Sequence, residues 1–227
     1  RGVYNPDRLR GRGCWYDSER VVVHLGDRLL VDGETVPIEK FESKFIYEEG
    51  GHVDPPINEP LTDQEIQAII QATQLVNWEV PAHADCLLGW ICDARVSGSN
   101  EWRAHCHVTG RFGSGKSTVL RDICAFLLGD FRHIFLGLST EPGIRSKIKN
   151  DSIPCLFDEA EGGDKRMNQQ RVEQVIDFIR QNSTETGGII AKGSASHIPT
   201  SFSTRCNFMI FSIDTPIKNK ADESRIT

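Results

Sequence analysis

The chain lacks any apolar run of membrane-spanning length, and its start does not resemble a signal peptide. It also lacks an excess of positive charge, with a net charge of −6 over 227 residues. A protein coated in basic side chains is thereby excluded. Nucleic-acid contact would have to come from a few residues facing a channel. None of the seven cysteines (Cys14, Cys86, Cys92, Cys106, Cys124, Cys155 and Cys206) falls in a C-x-x-C pair. That absence, with the odd count, points to reduced thiols in a cytoplasm and away from a disulfide framework. Most of them sit in apolar runs and read as small core residues. His105-Cys106-His107 offers metal-ligand residue types, but on a strand Cys106 would point away from both histidines. An initial Met is missing as well, and a strand pattern is starting where the chain stops at Thr227, so we expect a piece of a longer protein.

What the chain does have is a glycine loop. Gly110-Arg-Phe-Gly-Ser-Gly-Lys-Ser117 reads G-x-x-x-x-G-K-S, the spacing of a phosphate-binding P-loop. Gly110, Gly113 and Gly115 let the backbone fold tightly, with N–H groups turned inward at a phosphate chain. Ser114 and Thr118 complete the set of residues expected around the nucleotide. Lys116 is expected to reach the β- and γ-phosphates, and the Ser117 hydroxyl to bind Mg²⁺. A helix starting here would aim the positive end of its dipole at the same anion. The flanks agree. Ala104, Cys106 and Val108 alternate as in a strand, and Val119, Leu120, Ile123, Leu127 and Leu128 follow helical spacing. Strand, loop, helix is the order the motif needs. The implied ligands are ATP and Mg²⁺.

Upstream, residues 1–58 read as a small β-rich segment. Val21–Leu25, Arg28–Val31 and Val36–Ile38 are short strand candidates, with the turn pairs Gly26-Asp27 and Asp32-Gly33 between them. Arg8, Arg10 and Arg12 form a basic cluster ahead of this meander, either solvated or touching nucleic acid. Pro55-Pro56 and Pro60 mark a linker. Thr62-Asp-Gln-Glu65 is a capping box, after which Ile66, Ile69, Ile70 and Thr73 share one helix face. A second helix is expected from about Ala82 to Ala94, with Ala84, Leu87, Leu88 and Ile91 as its stripe. Trp78 and Trp90 read as packing residues.

Downstream, Ile134–Leu138 reads as a buried strand, and Thr140 caps a short helix with Glu141 and Pro142 in its first turn. Ile153–Phe157 then runs into Asp158-Glu159, an apolar strand ending in two carboxylates, the Walker B arrangement. Asp158 is expected to hold the Mg²⁺, and Glu159 to act as general base on the attacking water. A helix from about Lys165 to Asn182 buries Val172, Val175, Ile176 and Ile179. Two short strands within 187–203 read as a hairpin. Asn207–Ser212 is an apolar strand ending in a hydroxyl.

Walker B strand, helix, hairpin and a strand with a polar end form the sequence plan of an AAA+ ATPase of the helicase type. From about Tyr4 onward the chain resembles the helicase part of phage and prophage primase–helicases, of superfamily 3 type. It is also similar to the MCM-like self-loading helicases of mobile elements. The motifs that carry the resemblance are Gly110–Ser117, Thr140–Arg145, Leu156–Glu161, Gly188–Gly193 and Asp222–Ile226. The resemblance implies an α/β fold, a P-loop AAA+ (ASCE) three-layer sandwich with a mostly parallel central sheet over 59–227. The helical lid that normally follows is absent from this stretch. It implies a homo-oligomeric ring, a hexamer, around single-stranded or forked DNA in a bacterial host or phage-infected cell. Ser212 would be the sensor of the γ-phosphate or the lytic water. The hairpin, about 188–202, would carry Lys192 and His197 to DNA phosphates. Arg225 would be the finger supplied to a neighbour's nucleotide, with Arg205 and Arg145 as rivals.

Two other classes stay open at this stage: an AAA+ loader or ATP-switched assembly or defence protein that does not unwind DNA, and a RecA-type helicase. A loader has less need of the hairpin, and a RecA-type helicase would lack it.

Overall fold

The computed structural model describes residues 5–55, 59–158, 173–180, 182–183 and 204–213. In chain order the strands are β1 (Leu9–Arg10), β2 (Gly13–Asp17), β3 (Arg20–His24), β4 (Arg28–Val31), β5 (Glu34–Pro37) and β6 (Ile46–Tyr47). Next come the helices α1 (Asp63–Gln74) and α2 (His83–Ala94), then β7 (Cys106–Thr109). The helical run after β7 has three parts: α3 (Lys116–Thr118), a π-helical stretch (Val119–Ala125) and α4 (Phe126–Leu128). Then come β8 (His133–Leu136), α5 (Glu141–Ile148), β9 (Cys155–Asp158), a helix α6 over 173–180, and β10 (Phe208–Ser212).

β2-β3-β4-β5 form an antiparallel meander. Val31 pairs with Glu34 across Asp32-Gly33, whose φ values are 52° and 85°, the two-residue turn the dipeptide favours. Asp17 pairs with Arg20 across Ser18-Glu19, also at positive φ. Sequence reading missed that turn, and with it β2, because neither residue is a glycine.

The second sheet is parallel throughout, in the order β7-β10-β9-β8. Its strands are apolar on both sides, and the two sides alternate residue by residue. Cys155, Phe157, Phe208 and Ile210 pack with Ile144 and Ile148 of α5 and with Val175, Ile176 and Ile179 of α6. Leu156, Met209 and Phe211 pack on the other side, with Leu87, Trp90 and Ile91 of α2 and with Val119, Leu120 and Cys124. Helices on both faces of the sheet make three layers. Buried Cys14, Cys124, Cys155 and Cys206 fit the expected core role, whereas Cys86 and Cys92 lie exposed on α2.

Three local expectations change. β8 is not a buried strand. It is the last strand in the described sheet order, and Ile134, Leu136 and Leu138 are exposed while Phe135 is buried. In α1 the capping box forms as expected, but Ile66 is exposed and of the stripe only Thr73 is fully buried. In the run after the glycine loop, i→i+5 spacing sets Val119 and Leu120 over Cys124 and Ala125, so those two join the core and Ile123 and Leu127 stay half-buried.

The meander packs directly onto the parallel sheet's approach to β9. Leu25 and Val53 meet Phe131 and Ile153 in one apolar cluster. The Gly11 N–H donates to the Asn150 carbonyl at 2.9 Å, and the Ser152 N–H to the Arg12 carbonyl at 2.8 Å. The basic cluster turns inward here. Arg12 holds Asp151 at 2.6 Å, and the Arg10 guanidinium lies over the Trp15 and Phe45 rings. Those two arginines are therefore not a nucleic-acid patch.

Candidate functional site

Four parallel strands bring all their carboxyl ends to one edge. In open α/β sheets ligands bind at that edge, where the strand order reverses. Here the chain leaves β7, crosses to β8 at the far side, then steps back through β9 to β10, which lies between β9 and β7. Ser212 is level with Thr109, the residue before Gly110, and Phe211 is level with Asp158. The glycine loop, the Ser212 hydroxyl and the Asp158 carboxylate thus end three adjacent strands. With strands about 4.8 Å apart, Asp158 and Thr109 stand about 10 Å from one another across β10.

The loop has the backbone its glycines allow. Gly113 and Gly115 sit at φ 74° and 91°, which other residues adopt only under strain. The Ser114 N–H donates to the Arg111 carbonyl at 3.1 Å, and the Val119 N–H to the Gly115 carbonyl at 3.0 Å. Lys116 folds over the loop, its Nζ donating to the carbonyls of Gly110 at 2.6 Å and Arg111 at 3.0 Å. Ser117 and Thr118 are exposed on the first helical turn, and α3 packs against β10. Asp158 is half-buried at the tip of β9. An acid at a strand tip and a hydroxyl on a facing helical turn are the donor types a Mg²⁺ takes.

A cavity of about 890 Å³ runs from the loop along β7. Gly110, Ser114 and Lys116 line one end, and Trp78, His83 and Trp90 line the other. Both indoles are held by hydrogen bonds, Trp78 to the Thr73 carbonyl at 2.9 Å and Trp90 to the Ala104 carbonyl at 3.1 Å. Trp78 and Trp90 are packing residues, as expected, and they also wall this cavity.

His105, Cys106 and His107 do not converge. The His105 Nδ1 accepts from the Phe208 N–H at 3.2 Å, and the His107 Nε2 meets the Ser212 Oγ at 2.7 Å. Cys106 packs on the opposite side, against the α2 cluster. Burial pushes His105 down to about 3 and His107 down to about 4, so both rings are neutral near pH 7. Sequence reading weighed His107 only as a metal ligand. Its parity with a polar strand end was the available signal.

Arg145, a rival for the finger role, is buried. It pairs with Glu141 one turn back, and its guanidinium lies over Phe178. Both contacts lie within its own chain. Arg205 is half-buried, with its guanidinium 5.8 Å from the Trp15 ring centre. Glu159, Lys192, His197 and Arg225 lie outside the described residues.

No protein-family model and no curated protein matches the chain. Among solved structures, the chain is similar to the apo C-terminal region (305–718) of NrS-1, with a TM-score of 0.51 and 16% identity. The match covers 94% of this chain and 57% of that one, so the chain spans little more than half of the neighbour's length. A second NrS-1 C-terminal structure, an A form, matches with a TM-score of 0.46 at 15% identity. At this identity the likeness speaks for the fold alone. Among the described residues no helix is long and apolar enough to cross a membrane.

Proposed function

We propose that this chain is an ATPase module that acts in a ring, a hexamer, as a DNA helicase or translocase of a phage or mobile element. The observation that carries the reading is the shared sheet edge. The glycine loop, Ser212 and Asp158 end three neighbouring strands, with the strand of Ser212 between the other two. A triphosphate lying in the loop would meet Lys116 and Ser117 on one side and Asp158 on the other. Mg²⁺ would be held by Ser117 and Asp158, and would neutralise charge on the phosphates. Base and ribose have room in the cavity beside Trp78 and Trp90. Glu159, one residue beyond Asp158, is the proposed general base.

The helicase assignment is supported by the sequence motifs, and the fold-level likeness to the NrS-1 C-terminal region agrees with the α/β architecture that it needs. Lys192 and His197 are the proposed DNA contacts, and Arg225 the proposed finger. Such an arginine contributes on the order of 10³–10⁵ in rate where it acts. The test is ATP hydrolysis by the oligomeric protein with and without single-stranded DNA, with Glu159→Gln alongside. We expect DNA-stimulated turnover in the wild type. Glu159→Gln should keep nucleotide affinity but lose turnover. Turnover indifferent to DNA would favour an ATP-switched loader, and full turnover in Glu159→Gln would remove that residue from the reaction.

A further inference from the structure

The two indoles that wall the far end of the cavity differ in how much ring they offer it. Trp90 is 5% exposed and belongs to the core between α2 and the parallel sheet. Trp78, between α1 and α2, is half-buried, and it lines the same cavity as Gly110, Ser114 and Lys116. Its ring is held before any ligand arrives. The indole Nε1–H donates to the Thr73 carbonyl and the Trp78 backbone N–H to the Val76 carbonyl, both at 2.9 Å. The His83 ring stands at 90° to it, 6.5 Å between centres. A ligand stacking there orders no loose side chain, which lowers the entropy cost of binding.

Charge is divided along the cavity. Arg111 and Lys116 stand at the loop end, whereas the carboxylates of Glu79 and Asp93 stand at the tryptophan end. Both oxygens of Asp93 accept amide bonds within the protein, from Asn100 and Asn207, each at 2.7 Å. A ligand with an anionic head therefore lies with that head at the loop and its uncharged end at Trp78. We infer that Trp78 is the wall on which the base of the bound triphosphate stacks, and that the site prefers purine to pyrimidine nucleotides. A stacked indole reads ring area rather than the hydrogen-bonding edge of a base, and the purine covers more of it.

The inference rests on the nucleotide reading above, and the test separates the two. ATP, UTP and inorganic tripolyphosphate are titrated with Mg²⁺ against the full chain as wild type, Trp78→Ala, Trp78→Phe and Lys116→Ala. The wild type should bind ATP more tightly than UTP. Trp78→Ala should weaken ATP by about 5- to 150-fold, the range a stacked base is worth. It should leave tripolyphosphate unchanged, since that probe has no base, and ATP and UTP should then bind alike. Trp78→Phe keeps a ring face and should recover most of the ATP affinity. UTP bound as tightly as ATP by the wild type would overturn the purine preference. Equal weakening of ATP and tripolyphosphate in Trp78→Ala, no loss of ATP, or a Phe variant no better than the Ala variant would overturn the inference. Should Trp78→Ala fail to fold, magnetisation transfer in the wild type decides it. Transfer between the Trp78 ring protons and the base protons of bound ATP is expected, and its absence overturns the stacking. If Lys116→Ala binds ATP and tripolyphosphate as the wild type does, the nucleotide reading itself has failed. If Lys116→Ala loses both while Trp78→Ala loses neither, only the role of Trp78 falls.

Discussion

Ser212 stands level with Thr109, the last residue of the strand that enters the glycine loop, although 103 positions separate them. That pairing puts a polar strand end beside the loop, and it makes the loop's backbone the first thing to perturb. Gly115, at φ 91°, is the residue on which the loop turns into α3. A Cβ there meets no atom within 4 Å, so Gly115→Ala acts through backbone strain alone, about 1–2 kcal/mol. The loop is exposed and can relax, so the melting temperature should barely move. Triphosphate affinity should fall by about 5- to 30-fold, the same energy read as an equilibrium constant. Titration calorimetry with ATP checks this. An unchanged affinity would mean that the loop's shape does not serve the phosphates.

Arg12 and Asp151 test how the β-rich segment is joined to the sheet. The guanidinium holds the carboxylate at 2.6 Å, and His133 reaches the same oxygen at 3.2 Å. Burial alone would raise the Asp151 pKa, but hydrogen bonds from His133 and Arg12 outweigh it and hold the carboxyl below its usual range. Removing one partner of a buried pair leaves a charge without compensation. Arg12→Ala should cost about 3 kcal/mol, a loss of roughly 6–12 °C in melting temperature at this size. Arg12→Lys should recover only part, because it cannot make the two-pronged contact. A loss under about 1 kcal/mol by urea denaturation would show that the junction rests on its apolar cluster instead.

The strand ends were legible because their chemistry is local. A glycine-lysine-serine run and an apolar strand capped by acids need no partner to be recognised. The apolar runs of β9 and β10 were legible for the same reason. What could not be read is whatever depends on distant pairing. Nothing near Phe208 announces that β10 will slip between β7 and β9. Arg10 and Arg12 look like a surface patch until Trp15 and Asp151 fold against them. β8 reads as buried because Ile134, Leu136 and Leu138 are apolar, yet its place in the strand order leaves them exposed. In α1 the cap was legible from Thr62 and Glu65, but the depth to which its stripe is buried was not.

Buried neutral histidines set the acid limit of the fold. His24, His105 and His107 all have pKa values pushed down by burial, to about 3 for His105 and about 4 for His107. The Nδ1 atoms of His24 and His105 accept backbone N–H bonds, which protonation there would break. In the unfolded chain each ring takes up a proton near pH 6.5. Between that pH and the folded pKa the unfolded state therefore binds more protons, and stability falls as pH falls. We expect the urea midpoint to be highest above about pH 6.5 and to drop steadily towards pH 4. His105→Gln should flatten that slope. A midpoint that does not change over this range would contradict the placement of these rings.

The most direct measurement is ATP affinity of the wild type against Lys116→Ala. Lys116 is the charged side chain at the point where the loop turns into α3, and it already folds over the carbonyls of Gly110 and Arg111. Losing charge-assisted bonds worth about 1.5–3 kcal/mol should weaken binding by about 10- to 100-fold or more, with the fold intact by circular dichroism. The same affinity in both proteins would show that the glycine loop does not hold a triphosphate, and the proposed ATPase would fall with it.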